Sequence, residues 1–264
     1  MKLLTLNVFQ GSPIFNSLEN SDRLKQQIRA VKKLNPDIIC LQELTSHLAY
    51  LQYKEAFSEY KFVSTFNSSP NIIVCLILLL CFCAYPSISL PILIIAIRFP
   101  ALHWLIWQNS GLVVALKKKY SVLYKKEKTY ETQTGDWMNY VCPRKYVNVK
   151  FVWDDRVFSL INTHLNAFGE DEHRGKQLKE VLGADIICGD FNTHRLSLSS
   201  YLQDPTEPTY DRQNEYCTWG TTSCIDHVWV KNRKDVYMYV KSKLVFTNPP
   251  ISDHYGVLST IYCF

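Results

Sequence analysis

Short apolar runs that each end in a polar residue recur along the chain, and they constrain its fold more than any other feature. The runs LLTLN, IICLQE and IICGDFN are rich in leucine and isoleucine, which is typical of short buried strands. Other stretches place apolar residues at helical spacing, and residues 21–34 do so behind a candidate N-cap, Ser21. Strands that alternate with helices predict an α/β protein.

The size and composition of the chain set broad limits on its function. Its 264 residues suffice for one substantial domain or two small ones, and the net charge of +5 permits an anionic partner without requiring one. The nine cysteines include no Cys-x-x-Cys pair, so we expect reduced thiols in a cytosol-like compartment. Met1 leads almost directly into the first apolar run, which predicts a strand rather than a cleavable leader.

The polar residues that end the apolar runs are of types that bind metal ions and transfer protons. They are Asn7, Glu43, the group Asn162-Thr163-His164, Asp190 with Asn192, Asp226 with His227, and Asp253 with His254. Carboxylate and amide oxygens suit Mg²⁺, and histidine transfers protons near neutral pH. One such residue alone is usually a turn former or helix cap, but six such strand ends predict a shared cleft.

The order of these motifs resembles a known superfamily. TLNV, LQEL, NTHL, GDFN, IDHV and SDHYG follow one another as in the endonuclease/exonuclease/phosphatase superfamily, the deoxyribonuclease-I-like hydrolases. The resemblance runs from Leu3 to Ile261. It implies a single hydrolase domain over residues 1–264 with a four-layer α/β/β/α sandwich and an active site at one edge of the two sheets.

The resemblance also implies a role for each motif residue. Glu43 is expected to hold a divalent cation, Mg²⁺ with Mn²⁺ as a possible substitute, with Asn7 and Asp253 beside it. The expected catalytic residues begin with Asp190 and Asn192, which orient the attacking water and the phosphate. His254 is expected to act as a general base or phosphate contact and to be oriented by Asp226. His164 is expected to contact the phosphate oxygens. One departure is Phe9, which stands where many nuclease members have an acid.

Three further histidines are not expected to take part in the chemistry. His173 and His194 lie in polar segments and are predicted to be exposed. His227 follows Asp226 directly, so it is predicted to point to the opposite face of its strand.

A long uncharged segment, Asn71 to Ile97, interrupts this pattern. It is too long for a core strand, and its two flanks belong to one domain, so the chain must return to the side it left. We therefore predict an apolar, membrane-inserted hairpin over residues 71–107, with Pro86 and Pro91 near its bend. The alternatives are a buried helical pair docked on the sandwich or an oligomer interface. The basic residues between Lys117 and Lys128 would then meet anionic headgroups, or else form a solvated hairpin.

The hairpin favours a lipid bilayer as partner and a phospholipid as substrate. The opening NVFQGSP is similar to the neutral sphingomyelinase branch, and together with the hairpin it predicts a membrane-associated, Mg²⁺-dependent phosphodiesterase of sphingomyelinase type. The cysteine pattern and the basic stretch after the hairpin favour a catalytic domain on the cytosolic side. The sequon at Asn67 leaves a lumenal domain open. The alternatives are a membrane-tethered endonuclease or nucleotide-adduct phosphodiesterase, with nucleic acid as partner, and a non-catalytic scaffold. No protein partner is predicted.

Overall fold

The fold is taken from a computed structural model of the chain. The structure describes residues 1–9, 19–65, 110–133, 143–167, 170–195, 200–203, 207–217 and 220–264. The segment 71–107, predicted to be a membrane hairpin, lies outside these residues.

The described residues form three helices and twelve strands. The helices are α1 (Glu19–Leu34), α2 (His47–Ala56) and α3 (Asp171–Val181). The strands are β1 (Lys2–Asn7), β2 (Ile38–Gln42), β3 (Tyr60–Ser64), β4 (Val113–Lys117), β5 (Ser121–Thr129), β6 (Lys145–Trp153), β7 (Arg156–His164), β8 (Ile186–Asp190), β9 (Tyr201–Gln203), β10 (Asp226–Lys231), β11 (Met238–Val245) and β12 (Gly256–Cys263).

The strands build two six-stranded mixed sheets. Sheet A has the order β11-β12-β1-β2-β4-β3, and sheet B has the order β5-β6-β7-β8-β10-β9. Each sheet contains one central parallel pair, β1 with β2 and β7 with β8, whereas the other neighbours are antiparallel. Parallel neighbours end at the same edge of their sheet, so this topology brings the carboxyl ends of four strands to common edges.

The two sheets pack face to face, and helices cover their outer faces. One core cluster lies between the sheets and joins Leu3 and Ile38 of sheet A to Phe151 and Ile186 of sheet B. A second cluster packs α1 and α2 on sheet A, and a third packs α3 on sheet B. The central strands β2 and β8 are buried at every residue, which explains their unbroken apolar sequences. The predicted α/β fold with two sheets between helices is confirmed.

Two parts of the chain differ from the sequence-based expectation. Strands β9 and β11 lie in stretches that showed no clear strand pattern, and β11 is half exposed at the edge of sheet A. The basic stretch between Lys117 and Lys128 does not form one hairpin, because β4 belongs to sheet A and β5 to sheet B. None of the helices in the described ranges is long and apolar enough to cross a membrane.

Candidate active site

The polar residues predicted to end strands meet at one edge of the sandwich, but three of them stand at the start of a strand: Asp226 begins β10, and Asp253 and His254 precede β12. In sheet A, Asn7 ends β1 beside Gln42 of β2, and Glu43 follows directly. In sheet B, Asp190 pairs with both His164 and Asp226 in the strand register. The strands of the two sheets thus deliver their terminal side chains to one buried site.

Asn7 joins the two sheets at this site. Its Nδ2 donates hydrogen bonds to Glu43 Oε1 and to Asp190 Oδ2, both at 3.1 Å. Its Oδ1 accepts a bond of 3.0 Å from the Phe9 N–H, so Phe9 contributes backbone rather than an acid. Glu43 has a φ of +56°, an uncommon conformation that turns the chain sharply after β2.

His254 and Asp226 form a short buried contact in the site. His254 Nδ1 lies 2.7 Å from Asp226 Oδ2, and His254 Nε2 lies 3.9 Å from Asp190 Oδ2. Burial alone would lower the pKa of His254, but the adjacent Asp226 charge, with those of Asp190 and Asp253, raises it well above its ordinary value. Tyr210 packs its ring edge-on against His254, with 5.0 Å between centroids. These contacts hold an imidazolium in one orientation.

His164 has the opposite charge preference. Burial, the Arg144 guanidinium and His254 all lower its pKa well below the ordinary value, so the ring is neutral at pH 7. Its Nε2 lies 3.5 Å from Asp190 Oδ2 and 3.9 Å from Glu43 Oε1. The site therefore contains one charged and one neutral imidazole.

Two carboxyl groups of the site change protonation near neutral pH. Burial and the Asp226 charge raise the pKa of Asp190 to about 7. Burial, with the charges of Glu43 and Asp190, raises the pKa of Asp253 to about 7. Asn192 supports Asp190 through its backbone N–H, which donates to Asp190 Oδ1 at 2.8 Å, while its Nδ2 donates to the Leu165 carbonyl at 3.1 Å.

The crowding of these carboxyl groups fits a divalent cation. Ligand atoms of Asp190, Asp226 and His254 lie within 4.8 Å of one another. Asp226 Oδ1 is buried with no hydrogen-bond partner, and Glu43 adds a partly exposed carboxylate. Because His254 is cationic and bonded to Asp226, a divalent cation would be held on the side of Glu43 and Asp253, where negative charge is less compensated.

The eight residues predicted from the motifs lie together at this edge. The metal-binding role of Asn7, Glu43 and Asp253 and the catalytic roles of the other five residues stay predictions. His227 does point away from Asp226, toward Phe191 and Trp229 on the outer face of β10. His194 is exposed and His173 is half-buried on α3.

The sequence did not indicate an amide bridge between the sheets beneath the site. Gln42 Nε2 donates to Asn162 Oδ1 at 2.7 Å, and Asn162 Nδ2 donates to the carbonyls of Leu41 and Val113, both at 2.9 Å. The bridge fixes β7 against β2 and β4, and so fixes His164 relative to Glu43. Its only sequence signal was the position of Asn162 two residues before His164. Tyr210 gave no signal, because its partner His254 lies 44 residues away along the chain.

Comparison with known proteins identifies the class. The family model described as Endonuclease/Exonuclease/phosphatase family matches residues 4–254. The chain therefore belongs to this family of metal-dependent phosphoric ester hydrolases, as its motifs predicted. The sphingomyelinase branch is not specifically indicated. The comparison with curated protein sequences found no match.

Several solved structures share the fold. A D. rerio TDP2 humanized by 14 mutations superposes with a TM-score of 0.66 at 15% identity, covering 99% of this chain and 98% of that one. D. rerio TDP2 complexed with single-strand DNA product gives a TM-score of 0.65 at 15% identity, with the same coverage. The human nocturnin catalytic domain with bound sulfate gives 0.62 at 16% identity and covers 100% of this chain and 93% of that one.

Proposed function

We propose that the chain is a metal-dependent phosphodiesterase that cleaves a nucleic acid or a nucleotide adduct. The observation that carries the proposal is the Asp226–His254 pair facing Asp190. This arrangement supplies a fixed positive charge for a phosphate and a carboxyl group that titrates near pH 7. The similarity to TDP2 complexed with single-strand DNA product supports a nucleic acid over other phosphate esters.

Three side chains of the site have separate roles in the proposed hydrolysis. His254 donates from Nε2 to a phosphate oxygen, because Asp226 keeps its ring charged. Asp190 accepts a proton from the attacking water, since its pKa of about 7 lets it do so at neutral pH. His164, being neutral, donates to a second phosphate oxygen without adding charge.

The acidic side of the site would hold the cation. Glu43, with Asn7 and Asp253, is the proposed ligand set for Mg²⁺, and Mn²⁺ is the expected substitute. When bound, such an ion neutralises charge on the phosphate oxygens.

The test is cleavage of labelled single-stranded oligonucleotides by the purified protein with Mg²⁺. His254→Ala is expected to reduce kcat by roughly 10²- to 10⁴-fold, and chelation of the metal to abolish turnover. His173→Ala, at a half-buried position of α3 outside the site, is the matched control and is expected to be fully active. Equal cleavage by His254→Ala and the wild type would refute the proposal.

A second candidate substrate is a phospholipid. The residues that flank segment 66–109, which lies outside the described ranges, are close to Glu43. The Thr65 N–H donates to the Leu112 carbonyl at 3.1 Å, and the Leu44 N–H, next to Glu43, donates to the Gly111 carbonyl at 3.0 Å. Its apolar sequence would therefore bring a bilayer next to the site. The membrane hairpin over 71–107 and a cytosolic catalytic domain belong to this candidate.

Phosphocholine release from sphingomyelin liposomes separates the two candidates. Release that requires His254 and Mg²⁺, without oligonucleotide cleavage, would replace the first candidate by the second. Oligonucleotide cleavage without phosphocholine release would eliminate the second. No turnover of either substrate by folded, metal-loaded protein would favour the non-catalytic scaffold.

A further inference from the structure

Part of the outer face of sheet A carries four exposed aromatic side chains. Tyr237, Tyr239, Tyr262 and Phe264 are 56%, 46%, 43% and 70% exposed, respectively. We call this group the aromatic platform. Its rings contact one another, with centroid separations of 6.0 Å for Tyr239–Tyr262, 6.2 Å for Tyr237–Phe264 and 6.5 Å for Tyr262–Phe264. A contiguous exposed aromatic surface of this kind marks a binding site more often than chance.

Three lysines extend the platform along the same face. Lys241 lies opposite Thr260 of β12, which in turn lies opposite Lys2 of β1. Lys243 is the next outward residue of β11. Partners that face each other across antiparallel strands project to one side of a sheet, so these ammonium groups share the face of the aromatic rings. All three are exposed, and within the described ranges none is paired with a carboxylate.

We propose that the aromatic platform and its lysines bind single-stranded nucleic acid. Exposed rings on a sheet stack against bases, and adjacent lysines neutralise phosphates, which is the combination that single-stranded nucleic acids require. The proposal deepens the proposed function by assigning a second contact surface for the same substrate class.

Two other occupants fit the face less well. A second copy of the chain docked by two-fold symmetry would set the same face against itself and would bring unpaired lysines together. A bilayer that meets the flanks of the apolar segment would lie at the catalytic edge, beside Glu43 and Gly111. The platform lies at the other end of β12.

The position of the platform predicts which substrates use it. Lys243 lies opposite Leu258, four residues after His254, and Phe264 is ten residues after His254. At about 3.4 Å per residue, the surface extends from roughly 14 to 34 Å from the site. A long strand held at the site can therefore reach it, whereas a fragment of a few nucleotides cannot.

The experiment measures binding of fluorescein-labelled dT20 and dT4 to the full chain with Mg²⁺, in the His254→Ala background to prevent cleavage. Tyr239→Ser/Tyr262→Ser is expected to weaken dT20 binding by roughly 5- to 100-fold. Lys241→Gln/Lys243→Gln is expected to reduce the slope of log affinity against log salt by about 1.4. Neither change should affect dT4 binding or, with His254 present, hydrolysis of bis(p-nitrophenyl) phosphate. Lys33→Gln/Lys54→Gln removes the same charge from α1 and α2 and is the control.

Each outcome decides the proposal. Unchanged dT20 binding in both platform variants would overturn it. The proposal would also be overturned if, with dT20 binding intact, the platform variants sedimented as monomers where the wild type is a dimer. Loss of binding to phosphatidylserine vesicles by these variants, again with dT20 binding intact, would overturn it in the same way. Platform-dependent dT20 binding by a protein that hydrolyses no phosphodiester would support the surface and refute only the proposed function.

Discussion

At the scale of single residues, the site depends on how buried charges set one another's protonation. Asp226 and His254 lie 2.7 Å apart and are both nearly fully buried, so each removes part of the other's desolvation cost. His164 lies farther from its carboxylates, 3.5 Å from Asp190 Oδ2, and burial, the Arg144 guanidinium and His254 lower its pKa, so its ring stays neutral. The same side-chain type thus has two charge states within one site, and the difference comes from the charged groups around each ring, the bonded Asp226 carboxylate beside His254 and the Arg144 guanidinium near His164.

Asp226→Asn tests this dependence. Loss of the negative charge is expected to lower the pKa of His254. The decrease of kcat that accompanies deprotonation of the His254 imidazolium should therefore occur at lower pH. The pair contributes stability below the unfolded pKa of histidine, and this contribution is lost as pH rises through the raised folded pKa. NMR titration of His254 and the pH profile of kcat measure both effects. An unchanged His254 pKa in Asp226→Asn would show that another group holds the charge.

At the scale of elements, the active edge requires close packing between β7 and β8. Gly189 has a φ of +137°, and a Cβ there would lie 1.9 Å from the Thr163 carbonyl oxygen. Only glycine lets the two parallel strands approach closely at the residue that precedes Asp190. The GDFN motif therefore combines a packing requirement with a chemical one.

Gly189→Ala is expected to destabilise the protein strongly and to displace Asp190 from His164. Gly183→Ala is the matched control, because Gly183 also has a positive φ, +111°, but a Cβ there would meet nothing within 4 Å. Backbone strain alone costs about 1–3 kcal/mol, and the clash at Gly189 should add at least ~2 kcal/mol. Urea unfolding measures the difference, and equal losses in the two variants would contradict the packing argument.

At the scale of the whole molecule, the acidic edge makes stability depend on pH and metal. The folded pKa values of Asp190 and Asp253, about 7, lie above the ordinary value near 4, so the folded state keeps protons that the unfolded state loses. Their contribution to stability is present at low pH and falls as pH rises from about 4 to 7. His164 acts in the opposite direction below about pH 6.5, because its folded pKa is lowered.

Asp253→Asn isolates one of these groups. In chelator, the variant is expected to match the wild type near pH 4 and to exceed its stability at pH 8 by up to about 4 kcal/mol, the limit set by a shift of about three pKa units. With Mg²⁺ the wild type should instead be the more stable of the two proteins, because it binds a cation that the Asp253 carboxylate helps to hold. Thermal unfolding at both pH values measures this. A variant that gains as much from Mg²⁺ as the wild type would exclude Asp253 as a ligand.

The sequence by itself determined the element types and the chemical inventory of the site. Runs such as IICLQE and IICGDFN are apolar throughout because β2 and β8 are covered on both faces, and that local pattern is visible without a structure. The eight motif residues were found because each lies within three residues of one end of a strand. Strand β11 was missed because half of its residues face solvent, so its pattern is weak.

Only the tertiary structure decided how these residues act together. The Asn162 bridge joins strands far apart in sequence, the Tyr210 contact reaches His254 from a separate loop, and the clustering of lysines with tyrosines on sheet A depends on the register of β11 with β12. The charge states of His164 and His254 also follow from burial and neighbours rather than from residue type. Distances between strands depend on which strands pair and in which register, and those pairings are a property of the whole fold.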